Sequence, residues 1–67
     1  MTKYEVRTIN LVECHTPEEY TEAFAQSPVH YCKGLAEVRA FCGGNLRRER
    51  CGYSGVHNNI EYIATRC

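Results

Sequence analysis

Five cysteines in a chain of 67 residues limit its folding choices more than any other feature. They are Cys14, Cys32, Cys42, Cys51 and Cys67, and no two of them form a C-x-x-C pair. A domain of this size buries only about 60% of the surface that its unfolded chain exposes. Such scaffolds commonly add disulfides, a metal or a partner subunit to a small core. Zinc sites prefer close pairs of ligands. Wide, irregular spacing points to disulfides and so to an oxidising compartment. Two bonds would leave one thiol over, and each bond closing a loop of some twenty residues would add about 3 kcal/mol.

Residues 3–14 read as a strand, with Val6, Thr8, Ile9 and Val12 as its β-branched members. Thr16-Pro17-Glu18-Glu19 is a helix start: a cap, a proline in the first turn and a glutamate three residues after the cap. Pro28, Tyr31, Leu35, Val38 and Cys42 step by three and four, which predicts a second helix over 28–42 ended by Gly43-Gly44. The rival reading breaks that helix at Lys33-Gly34 and makes 35–42 a strand. Residues 45–51 alternate as an exposed strand, 52–59 read as turns, and 60–67 as a final strand.

The expected fold is therefore α+β, a single domain over 1–67 in the order β-α-α-β-β. A three-stranded sheet would carry both helices on one face and be stapled by disulfides. That topology sets Cys32 beside Cys51, and brings Cys14, Cys42 and Cys67 to the opposite end. The expected bonds are Cys32–Cys51 and either Cys42–Cys67 or Cys14–Cys67, with Cys14 as the free thiol in the first case.

Composition narrows the partners. Eight basic and eight acidic side chains give zero net charge, which disfavours nucleic acid. No apolar run approaches the roughly 20 residues of a membrane span. Cys14-His15 and His30-Tyr31-Cys32 are the nearest approach to metal-ligand pairs, but neither has zinc-site spacing. No metal and no cofactor is expected.

Arg47-Arg48-Glu49-Arg50 is the densest charge cluster. Guanidinium forks suit carboxylates and phosphates, which would make this an anion- or partner-binding edge, while the same charges also guard an edge strand from aggregation. Tyr53 sits among turn residues beside Val56 and His57, where an aromatic serves either as a contact anchor or as a lid folded over the hairpin. His57, Glu61, Tyr62 and Arg66 could form an acid–base site, although alternation sets Glu61 on the face opposite Tyr62 and Arg66.

In composition the chain is similar to small secreted cysteine-rich effectors, toxins and inhibitors. This implies a secreted protein, its leader removed, acting without catalysis by contact with a protein partner, as a monomer or a disulfide-linked homodimer. The expected contacts are Tyr53, Val56, His57, Arg47, Arg48 and Arg50. One alternative is a cytoplasmic inhibitor or adaptor with reduced thiols, of a viral or phage type. Another is a small ribonuclease-like toxin.

Overall fold

The computed structural model describes residues 3–67. In chain order the elements are β1 (Tyr4–Asn10), a 3-10 turn (Leu11–Glu13), α1 (Pro17–Gln26), β2 (His30–Cys32), α2 (Leu35–Cys42), β3 (Arg47–Glu49), β4 (Gly52–His57) and β5 (Ile60–Arg66). The strands form one antiparallel sheet in the order β2-β1-β5-β4-β3. The chain is α+β, but the sheet has five strands where the sequence suggested three.

Local chemistry explains the boundaries. The first strand stops at Asn10, not at Cys14, because the Asn10 side chain accepts the Val12 N–H at 3.1 Å and turns the chain into a 3-10 turn. Thr16 Oγ1 accepts the Glu19 N–H at 3.2 Å, and the Glu19 carboxylate accepts the His15 N–H, so α1 begins where its cap signal lies. The expected helix over 28–42 is divided. Residues 30–32 are extended and pair with Tyr4–Val6, while Gly34 caps a shorter helix. The break falls where the rival reading put it, but the helix is the second half. Residues 52–57, taken as turns, form β4. Asn58 and Asn59 both hold positive φ, at 53° and 64°, and make a two-residue hairpin into β5.

Register decides what is buried. Tyr4, Val6, Cys32, Tyr53, Tyr62 and Ala64 share one face of the sheet. There α2 packs Val38 and Cys42 into a core with Tyr4, Val6, Cys32 and Ala64, flanked by Leu35, Leu46, Tyr53 and Tyr62. Arg7, Ile9, Ser54, Val56, Glu61 and Ile63 occupy the other face. There α1 crosses β1. Phe24 lies under the Arg7 guanidinium, 5.2 Å from carbon to ring centre, and the Tyr20 hydroxyl donates to the Glu61 carboxylate. The helices thus cover opposite faces, not one.

The disulfide staples are also corrected. All five cysteines are free thiols. Cys32 on β2 and Cys51 ahead of β4 are three strand spacings apart, about 14 Å, with β1 and β5 between them. A disulfide needs Cα atoms within about 7 Å. Cys42, the last residue of α2, points into the core, whereas Cys67 continues β5 at an exposed position. Cys14 follows the far end of β1 from Cys67, whose N–H donates to the Lys3 carbonyl at 2.9 Å. The terminal residue is thus held by a sheet hydrogen bond. Cys32 and Cys42, each 2% exposed, act as small apolar core residues. With these bonds goes the basis for reading the chain as a secreted toxin or effector.

Candidate functional site

The six residues expected to make contacts come from one hairpin but do not share a face. Tyr53 belongs to β4, not to a loop. Its half-buried ring lies 6.1 Å from that of Tyr4, tilted by 59°. Arg48 stands opposite Tyr53 on β3. His57 ends β4 on the same face, its ring against Gly43, where an added Cβ would come within 3.2 Å. Gly43 itself has φ +80°, the left-handed turn that ends α2. Arg50 lies in the turn between β3 and β4. Arg47 and Val56 emerge on the face that carries α1.

Arg47 and Val56 line the same hollow. It has a volume of about 410 Å³, is open to solvent, and is walled by Gly44, Asn45, Leu46, Ser54, Gly55 and Glu61 as well. The sequence accounts for its shape. The last β3–β4 pair is Arg47 with Ser54, so the outer edge of β4 runs on past it. The chain leaving α2 comes in beside Gly55, where the Asn45 carbonyl occupies the space a Cβ would need, 1.8 Å away. Only glycine lets two backbones approach so closely.

Charge sits on the rim. Arg47 Nε donates to Glu49 Oε1 at 3.3 Å, and Ser54 Oγ donates to the same oxygen at 2.9 Å. The Arg47 side chain is 83% exposed, so its fork still faces water. On the far side, Glu61 is held by the Tyr20 hydroxyl. Burial of the phenol, helped by the hydrogen bond to Glu61 and that carboxylate's charge, pushes Tyr20 up to about 12.

The acid–base group suggested by the sequence is not brought together. His57 and Glu61 leave opposite faces of the sheet, and Tyr62 and Arg66 lie on the face away from Glu61. Among the described residues, no three histidine, cysteine or carboxylate side chains are close enough to hold a metal ion. No helix among them is long and apolar enough to cross a membrane.

Sequence reasoning passed over Asn45, Leu46 and Gly55 as part of the hollow. The alternation of 45–51 signalled an exposed strand but not the path of 44–46 across the end of α2. It also missed an aromatic group at the opposite sheet edge. His30 stacks on Phe41 at 4.3 Å and 5°, and Phe41 meets Tyr62 edge-on at 5.7 Å. Comparisons with known family models, with curated proteins and with solved structures returned no match.

Proposed function

We propose that this chain is a small adaptor or inhibitor with reduced thiols, acting by contact with a protein partner at the hollow beside β3 and β4. The observation that carries this reading is the meeting of Arg47 and Val56 in one open depression. Val56 is 48% exposed, a large apolar side chain left in water. Beside it Arg47, whose Nε is paired with Glu49, still presents its outer N–H groups to a carboxylate. The occupant is a protruding apolar side chain of the partner with an aspartate or glutamate next to it. A small-molecule site would enclose most of its ligand, whereas this hollow opens on one side, as fits a side chain presented by a larger surface. The free thiols suit a reducing compartment.

Panning a displayed library of random peptides against the immobilised chain tests this. Enriched peptides should pair an apolar residue with an acidic neighbour. Their binding should weaken about tenfold or more in Arg47→Glu and in Val56→Ser, the loss of about 1.4 kcal/mol or more. Thermal midpoints should change little, because both side chains are exposed and the Arg47–Glu49 pair lost in Arg47→Glu faces solvent. Peptides that bind both variants as tightly as the parent, or a library that never converges, would overturn the assignment.

A further inference from the structure

The two edges of the sheet are built differently. β3 is one edge, and Arg47, Arg48, Glu49 and Arg50 crowd charge along it and its turn. Charged side chains on an edge discourage the addition of another strand. β2 is the other edge, and it reads His30-Tyr31-Cys32, with no lysine, arginine, aspartate or glutamate. Tyr31 is 68% exposed, the most exposed large apolar side chain among the described residues. On the opposite face of the same strand His30 stacks on Phe41, itself 38% exposed. The strand is short and Lys33 follows it, its N–H held by the Glu37 carboxylate, but β2 itself carries no charge, and its aromatic side chains on both faces offer anchors beside the backbone hydrogen bonds of the edge.

We infer that β2 is a dimerisation edge, on which a second copy of this chain adds its own β2 in antiparallel register centred on Tyr31. A two-fold axis at that point sets Tyr31 against Tyr31 of the second copy, His30 against Cys32, and Val29 against Lys33. No like charges face one another, and the chain's zero net charge adds no long-range repulsion. Tyrosine opposite tyrosine is a favourable cross-strand pair.

The paired segment, residues 29–33, is far smaller than the roughly 20–30 residues a side of a standard stable interface. The dimer is therefore weak and reversible.

The guarded β3 edge supplies closure. Pairing of β2 with β3 of the next copy would propagate into a filament, and the arginines oppose it. The dimer's ten strands would run β3-β4-β5-β1-β2 and then the mirrored order, which leaves the two hollows at the two ends. A partner with two matching segments would then be held bivalently.

Sedimentation equilibrium from micromolar to sub-millimolar protein tests the inference, with reductant present throughout. The expected mass rises from 7.7 kDa to twice that value. Tyr31→Lys should remain monomeric with an unchanged thermal midpoint, and Arg48→Ala should dimerise as the parent does. Amide exchange on the unaltered chain gives a second reading: protection over residues 29–33 should grow with concentration while that over 47–49 does not. A mass of 7.7 kDa at every concentration overturns the inference and leaves the edge to a foreign strand. A dimer that survives Tyr31→Lys, or protection that grows elsewhere, overturns it equally. Neither outcome bears on peptide binding at the hollow.

Discussion

At the scale of single residues, the thiols differ in burial, with Cys14 half-buried between two extremes. Cys32 and Cys42 lie in the core, while Cys51 and Cys67 are exposed. Burial, with the neighbouring Cys32 a lesser cause, pushes Cys42 up to about 11 from its ordinary 9.0. A raised acid pKa means that the folded state keeps its proton longer than the unfolded chain does. The stability this confers is whole below pH 9 and lost as pH rises from 9 to 11. Tyr20 behaves likewise between 10 and about 12. Thermal midpoints measured across this range should fall, and Cys42→Val should flatten the first part of the decline. Gly52 is a second sensitive position. A Cβ there would come 1.9 Å from the Ala64 carbonyl oxygen on the neighbouring strand. Gly52→Ala should therefore cost more than 2 kcal/mol, on the order of a severe core change, as read by urea denaturation.

At the scale of elements, the caps and turns invite a direct test. Gly34 caps α2 in an extended conformation, with no side-chain hydrogen bond and no atom within 4 Å of an added Cβ. Gly34→Ser should stabilise the protein by a few tenths of a kcal/mol, seen as a small rise in the denaturation midpoint. The cap of α1 was legible because Thr16, Pro17 and Glu19 are local chemistry, and so was β5 with its alternation. β2 was hidden because Tyr31 fits a helical stripe through Leu35, Val38 and Cys42, although Pro28 and Gly34 bracket it as breakers. A three-residue strand is stabilised by its neighbour, here Tyr4–Val6, and carries too little pattern of its own. β4 was hidden by two glycines and a serine. Its one clear signal was Asn58-Asn59, a pair that suits the positive φ of a two-residue hairpin.

At the scale of the whole molecule, the main lesson concerns how a cysteine count is read. Spacing alone cannot separate a staple from a small apolar side chain. Here two thiols fill space beside Val6 and Val38, which are both fully buried. Stability comes from that core and from the sheet's hydrogen bonds. Val38→Ala should cost about 2 kcal/mol, whereas reductant should leave the melting curve where it is. The hollow was half legible: Arg47 and Val56 stood out in the sequence, but the passage of Asn45 beside Gly55 depends on tertiary packing.

The claim on which the rest stands is that this fold is held together with its thiols reduced, two of them inside the core. Alkylation followed by intact mass and peptide mapping tests it most directly, on protein that has not met reductant. In native buffer Cys51 and Cys67 should be modified quickly, and Cys32 and Cys42 only once denaturant is added. The denatured chain should then carry five alkyl groups, one on each cysteine. A mass deficit of four hydrogens with a single alkylated cysteine would contradict the account and restore the disulfide staples.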